Sequence, residues 1–306
     1  GQTAGSSVAV GVSLGLTSAV DTVAADVERD INATNGVEVN AKSTAKSSTT
    51  ATASVSGGDK AKDDGSAPAP GGGSGSGETV DDKVAGQQNK ATGAGKTTAA
   101  KAPATTPAAG SSASDKLDTN KQTAPKGESS EGGVSVAAAV GVNIGVATTT
   151  ARVGKGKRIT SSAGALKVSS VNQTDTSAKA DGSQVDSSNN TDVGVGAAVA
   201  LNVGVATTTA VVADEADVST TGLTISATGV SGEKSDSSAE AKSGAGAGNV
   251  GVAGSLAINV ATNTTVALLE GNTDSDAVVA QVDANGGAVL VEAQNATTSA
   301  AKVTAD

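Results

Sequence analysis

The stretch VSVAAAVGVNIGVATTTA at Val134–Ala151 decides the fold of this chain. Through most of it, branched apolar residues alternate with Ala, Gly, Ser or Asn. Strict alternation with a period of two is typical of a β-strand, because successive side chains of a strand point to opposite faces. The segment therefore predicts a long strand with one branched apolar face and one face of small residues.

Related stretches occur three more times, and repetition at a fixed interval predicts a stacked array. They read SVAVGVSLGL at Ser7–Leu16, VGVGAAVALNVGVATTTA at Val193–Ala210 and VGVAGSLAINVATNTTVA at Val250–Ala267. Asn143 and Asn202 are 59 positions apart, and Asn202 and Asn259 are 57 positions apart. The array therefore repeats about every 57–60 residues.

Each repeat continues with a glycine-containing turn, a short strand pattern and a return strand of small and polar residues. The short patterns are GVEVNA at Gly36–Ala41, ALKVSS at Ala165–Ser170, GLTISA at Gly222–Ala227 and AVLVEA at Ala288–Ala293. We predict an all-β fold, a parallel β-solenoid (β-helix) of about four wide coils with one repeat per coil. The Ala and Gly face is small enough for a second sheet to approach closely, and we favour a sheet inside the protein over one from another protomer.

Proline divides the array from an insertion. All five prolines (Pro68, Pro70, Pro103, Pro107 and Pro125) lie between the first and second repeats. Proline cannot donate to a β-ladder, so it is excluded from continuous pairing. We predict coil 1 at 1–56, a low-complexity insertion rich in Gly, Ala, Lys and Pro at 57–133, coil 2 at 134–192, coil 3 at 193–249 and coil 4 at 250–306.

The composition limits the chemistry that the chain can perform. Its 306 residues include no Cys, Met, His, Trp, Tyr or Phe, and the net charge is −10. Catalysis is disfavoured because the usual general base, His, is missing. An acidic chain without aromatic rings is also a poor partner for nucleic acid. No apolar run is long enough for a transmembrane helix. We predict a protein that is not an enzyme and has no resident cofactor.

An asparagine recurs at a fixed place on the small-residue face. Asn143, Asn202 and Asn259 share this place, and local similarity assigns Ser13 to it in the first repeat. In a stacked array such amides form a ladder, each bonding to the next, which satisfies a buried Asn. The alternative is a polar stripe that binds a ligand, and we interpret the series as a structural ladder.

Two further patterns suggest ligands. Glu270, Asn272, Asp274 and Asp276 offer spaced oxygen atoms suited to Ca²⁺. The loop lacks the twelve-residue EF-hand pattern, so a solvated acidic turn is the favoured interpretation and a Ca²⁺ site is the alternative. A threonine cluster at 148–150, 207–209 and 264–265 suggests an ice-binding face. Ordinary β-propensity at a strand end is the favoured explanation, and the first repeat shows Thr17, Ser18 and Ala19 at the place assigned to the cluster.

The repeat stays in phase across the two chain ends. Asn259 lies 47 positions before Asp306, and Ser13 is the thirteenth residue, so joining tail to head gives a spacing of 60. We predict a head-to-tail homopolymer that forms through uncapped solenoid ends, or a segment of a longer tandem array. The partner would then be a second copy of the chain.

The run GVNIGVATTTA with its following strand resembles the repeats of large bacterial surface adhesins, the filamentous-haemagglutinin-like and leukotoxin-type filamentous adhesins. Asn143 with Thr149 and Thr150 matches their pattern of an Asn, a short gap and a Thr pair, although the aromatic residue that usually follows is Arg152 or an aliphatic residue here. The resemblance implies a secreted or cell-surface β-solenoid shaft. The expected function is a non-catalytic extracellular structural protein, a filament subunit or shaft segment. The alternatives are an adhesin module that binds a cell or matrix surface and, less favoured, an ice-binding protein.

Overall fold

The computed structural model describes residues 8–56, 121–123, 127–130, 134–184, 193–246, 249–271 and 281–305. All regular secondary-structure elements in these ranges are β-strands, and every pair of hydrogen-bonded strands is parallel. The described residues all belong to one of two compact units, formed by 1–60 and 113–306. The prediction of an all-β fold with parallel sheets is therefore confirmed.

Four long strands form the first sheet. They are β1 (Val8–Val27), β6 (Val134–Val153), β9 (Val193–Val212) and β13 (Val250–Leu269), and each has 20 residues. Their order is β1-β6-β9-β13, and the register is unbroken from Val8 opposite Val134 to Leu269 opposite Val212. Identical alternation in all four strands explains the straight register, because a slip of one residue would turn every side chain to the other face.

A narrow second sheet follows the first sheet, and sequence reasoning missed it. It contains β2 (Ile31–Ala33), β7 (Arg158–Ser161), β10 (Asp217–Ser219) and β14 (Gln281–Asp283), in the order β14-β10-β7-β2. Ile159 and Val218 lie opposite each other in this sheet and are fully buried. One apolar residue per strand is enough to close this side of the core.

The third sheet combines the predicted short and return strands. These are continuous in β3 (Val37–Ser56) and β8 (Leu166–Ser183), whereas they are separated as β11 (Leu223–Thr228) with β12 (Ser235–Gly244), and as β15 (Val289–Gln294) with β16 (Thr297–Ala305). Two more short strands, β4 (Lys121–Thr123) and β5 (Gly127–Ser130), pair with β3. The six-residue segment 229–234 separates β11 from β12, where β8 runs without a break.

The first and third sheets face each other, and the small-residue face of the first sheet lies inside. Ala139, Ala198 and Ala200 of the first sheet form one buried cluster with Ala178 and Ala239 of the third sheet. This arrangement is the one favoured from the sequence. Small side chains allow a close approach: a Cβ atom added at Gly141 would lie 2.5 Å from the carbonyl oxygen of Lys179.

Larger aliphatic side chains fill the part of the core beside the narrow sheet. Ile159, Leu166, Leu223 and Ile225 are the largest of the fully buried side chains in the described ranges. Each contributes about 1.5–3 kcal/mol relative to an exposed side chain. This aliphatic end and the continuous backbone ladders together stabilise a fold that has no aromatic residue.

Within the described part of the chain, no helix has the length and apolar character needed to cross a bilayer.

Candidate functional site

The three asparagines meet as a hydrogen-bonded series inside the protein. The register places Asn143 opposite Asn202 and Asn202 opposite Asn259. The Asn143 Nδ2 donates to the Asn202 Oδ1 at 2.8 Å, and the Asn202 Nδ2 donates to the Asn259 Oδ1 at 2.7 Å. Asn143 and Asn202 are fully buried, whereas Asn259 is half-buried. We call this series the asparagine column.

A second column of hydroxyl groups, which sequence reasoning missed, faces the asparagine column from the third sheet. Ser47, Thr176, Ser237 and Ser299 lie opposite one another on successive strands. The Asn202 Nδ2 lies 2.9 Å from both the Thr176 Oγ1 and the Ser237 Oγ, and the Asn259 Nδ2 donates to the Ser299 Oγ at 2.8 Å. The two sheets are therefore joined by a polar seam through the core.

The prediction that Ser13 begins the asparagine column is wrong. The register places Ser13 opposite Ala139, and Thr17 lies opposite Asn143. Local similarity misled the alignment because VGVSLG at 10–15 resembles VGVNIG at 140–145, although twenty paired residues fix a register four positions away. The offset of four keeps the same face inward, so alternation alone could not reveal it. The Thr17 hydroxyl donates to the carbonyl of Ser48 at 3.3 Å.

The proposed calcium loop falls largely outside the described residues. Asn272, Asp274 and Asp276 lie there, and only Glu270 is described. The Glu270 Oε2 accepts a hydrogen bond from the backbone N–H of Asp214 at 3.2 Å. In the ranges that the structure covers, no group of three or more acidic side chains could hold a metal ion. The calcium prediction remains untested at 272–276.

The outward side of the first sheet is an apolar face. We define it as the even-numbered residues of 10–20, 134–146 and 250–262 and the odd-numbered residues of 193–205. Of these 27 residues, 22 are Val, Leu or Ile and none is charged. Leu14 is 64% exposed and Leu256 is 50% exposed. The sequence had predicted one branched apolar parity, and the structure places that parity outward on this sheet.

The outward side of the third sheet is charged. Ion pairs join neighbouring strands there: Lys167 with Glu38 at 3.2 Å, Lys46 with Asp175 at 3.4 Å and Lys179 with Glu240 at 3.3 Å. The first and third sheets packed on each other form a two-layered unit, which we call the slab. Its two outer surfaces differ, because one presents charged side chains to water and the other presents branched apolar side chains.

Glu240 lies at the centre of a charged row. It also pairs with Lys302 at 3.5 Å. The hydrogen bond from the Lys179 ammonium, together with the charges of Lys179 and Lys302, lowers the pKa of the Glu240 carboxyl below its ordinary value, against the opposing effect of partial burial. The carboxylate is therefore the favoured form over a wider pH range than in an isolated side chain.

The threonine cluster is divided between the two faces of the first sheet. Thr22, Thr148, Thr207 and Thr264 form one column that reaches all four long strands on the outward side. Thr149 is fully buried on the inward side. The place assigned to the cluster in the first repeat, at Thr17, was wrong for the same reason as Ser13. In the next outward column, β6 and β9 carry Thr150 and Thr209, whereas β1 and β13 carry Ala24 and Val266. The threonine array therefore includes a second column on only the two central strands of the described first sheet.

Within the described ranges, the end strands of the first sheet and of the narrow sheet leave backbone edges unpaired. Among the described strands, β1 and β13 are the edges of the first sheet, and β2 and β14 are the edges of the narrow sheet. The third sheet differs at β3, because β4 lies against Ser48–Thr50 and β5 lies against Ala53–Ser56. We call β4 and β5 the edge cap. The expectation of two uncapped ends is therefore wrong for this part of β3.

No protein-family model matches the sequence, and comparisons with curated proteins and with solved structures found no match. The resemblance to filamentous adhesin repeats remains a prediction.

Proposed function

We propose that the chain is a non-catalytic, extracellular structural protein, a subunit or shaft segment of a filament. In this proposal four coils, each one repeat long, form a β-solenoid that stacks head to tail. The observation that carries the proposal is the combination of parallel, in-register ladders with open edges at β1 and β13. Open parallel edges are templates for adding another chain. The extracellular location rests on the resemblance to surface adhesins.

The geometry of addition follows from the existing register. Strand β13 of one copy would lie beside β1 of the next copy and place Asn259 opposite Thr17, as Asn143 lies opposite Thr17 within the chain. Strand β16 would then lie beside the second half of β3. The edge cap occupies that position, so full stacking requires the edge cap to leave β3.

The open edge of β13 can be blocked without removing a bond inside the chain. The backbone N–H of Glu270 donates to the carbonyl of Val212 at 3.0 Å. Because alternate amides of a strand point to opposite neighbours, even-numbered amides of β13 serve β9 and odd-numbered amides face the open edge. Ala261→Pro therefore removes an edge-facing donor, and edge strands tolerate proline. Ala261→Ser at the same place keeps the donor and serves as the matched control.

Electron microscopy of the purified chains tests the proposal. The parent chain and Ala261→Ser should form filaments with an axial rise of about 19 Å per subunit, which is four strand spacings of about 4.8 Å. Ala261→Pro should remain dispersed while keeping the far-ultraviolet circular dichroism spectrum of the parent. Filaments of unchanged length and number from Ala261→Pro would contradict stacking through this edge.

A further inference from the structure

The apolar face is larger than the apolar patches that a monomeric soluble protein usually exposes. Four strands at about 4.8 Å and thirteen residues at about 3.3 Å give it an area of about 19 Å by 43 Å, or roughly 800 Å². The largest apolar patch on a typical monomer is about 300–600 Å². The opposite outer surface carries the ion pairs, so the slab has one surface suited to water and one that is not.

The long segment 57–120 is poorly suited to cover this face. Residues 57–120 contain only three Val, Leu or Ile residues, which are Val80, Val84 and Leu117. Three such side chains cannot cover a face with 22 of them. A bilayer with anionic headgroups is also a poor match, because the face carries no Lys or Arg and the chain has a net charge of −10.

We propose that the apolar face binds the same face of a second copy, so that two slabs pack face to face as a four-layered β-structure. A stable interface needs about 800 Å² from each partner, and the face supplies roughly that area. Two copies of one surface related by a two-fold axis form a self-complementary contact. Flat sheets pack about 10 Å apart, with their branched side chains interdigitated. This contact uses the sheet surface, whereas stacking uses the strand edges, so it does not depend on the proposed function.

Molar-mass measurement by light scattering during size-exclusion chromatography tests the contact. The full-length Ala261→Pro chain is the background, because blocked stacking leaves only the lateral contact to be observed. We expect particles of twice the chain mass of 28.7 kDa. Adding Leu201→Lys places a charge at the centre of the face and should weaken the dimer at least about 100-fold, because an unpaired charge is then desolvated.

Two further variants separate a specific effect from misfolding. Leu14→Lys changes a side chain that is already 64% exposed, and it should weaken the dimer while the circular dichroism spectrum stays unchanged. Ser177→Lys adds the same charge to the opposite, charged surface and should leave the dimer intact. Together they show whether the position of the charge decides the outcome.

Three results would overturn the proposal. The first is a background chain that is monomeric at every concentration; flotation of that monomer with phosphatidylcholine vesicles would then identify a lipid surface as the occupant. The second is cross-linking of residues 57–120 to the apolar face, which would identify that segment as its cover. The third is equal weakening of the dimer by Ser177→Lys and Leu201→Lys, which would place the contact elsewhere.

Discussion

Replacing Asn202 by alanine tests whether the polar seam stabilises the protein. The Asn202 side chain accepts a hydrogen bond from the Asn143 Nδ2 at 2.8 Å and donates to the Asn259 Oδ1 at 2.7 Å. Its second amide hydrogen is directed to the hydroxyl pair of Thr176 and Ser237, each 2.9 Å away. Asn202→Ala removes all three bonds at a site that water does not reach.

The expected loss of unfolding free energy is about 3–5 kcal/mol. Three hydrogen bonds contribute about 1 kcal/mol each, and the polar groups that lose a partner add to the cost because they remain buried. The small cavity left by truncation adds roughly another 1 kcal/mol. Asn259→Ala is the matched control, because Asn259 is half-buried and water can replace its partner. Its expected loss is about 1 kcal/mol.

Urea unfolding followed by far-ultraviolet circular dichroism measures both losses. Intrinsic tryptophan or tyrosine fluorescence is not usable, because the chain contains neither residue. Asn202→Ser, which restores one donor and one acceptor, should recover part of the loss while the dependence on urea stays constant. A loss below about 1 kcal/mol for Asn202→Ala, or equal losses for Asn202→Ala and Asn259→Ala, would refute the reasoning.

The remaining predictions concern close packing, pH and the edge cap. Gly141→Ala should lower the free energy of unfolding by about 1–3 kcal/mol in the same urea assay, because its Cβ would lie 2.5 Å from a facing carbonyl oxygen. The control Gly254→Ala should be neutral, because no atom lies within 4 Å of the added Cβ. Equal losses for the two variants would contradict close packing at Gly141. The lowered pKa of Glu240 means that its stabilising effect is complete above its ordinary value of 4.5 and disappears as the pH falls through the lowered value. Glu240→Gln should therefore remove up to about 1 kcal/mol at neutral pH and nothing in strong acid, and a loss independent of pH would exclude this cause. Changing both Glu128 and Ser129 to proline removes two successive amide hydrogens of β5, one on each side of the strand, and so weakens its pairing with β3. Because stacking requires the edge cap to leave β3, the lag before filaments form in a light-scattering assay should shorten. An unchanged lag would show that the edge cap does not limit stacking.

Alternation made the long strands and their inward face predictable, because side-chain direction in a strand is a local property. The repeated spacing of Asn143, Asn202 and Asn259 likewise indicated their pairing. The narrow sheet was missed because three residues such as Ile31–Ala33 are too short to show a period. The first position of the asparagine column was missed because local similarity and whole-strand register favour different residues, Ser13 and Thr17, with the same inward direction.

The Ala and Gly face was favoured from the sequence as the inward one, because small side chains let a second sheet approach closely. The exposure of the opposite, branched face was not predicted. The facing sheet explains why the small face lies inside: Ala178 and Ala239 pack against small partners, and a Cβ atom added at Gly141 would lie 2.5 Å from the Lys179 carbonyl oxygen. Among the described residues, the fully buried Ile and Leu side chains, such as Ile159 and Leu166, all lie beside the narrow sheet.

The asparagine column gives the molecule a polar axis with a defined direction. Each amide in it donates toward the C-terminal strand and accepts from the N-terminal side, so the dipoles of Asn143, Asn202 and Asn259 add instead of cancelling. Polarisation of each amide by the one before it strengthens the next bond. In a filament built by translation along this axis, the column dipoles of all subunits would point the same way. The two ends of the filament would therefore differ chemically. A pair of slabs related by an axis parallel to the column would keep both vectors aligned, whereas a perpendicular axis would oppose them.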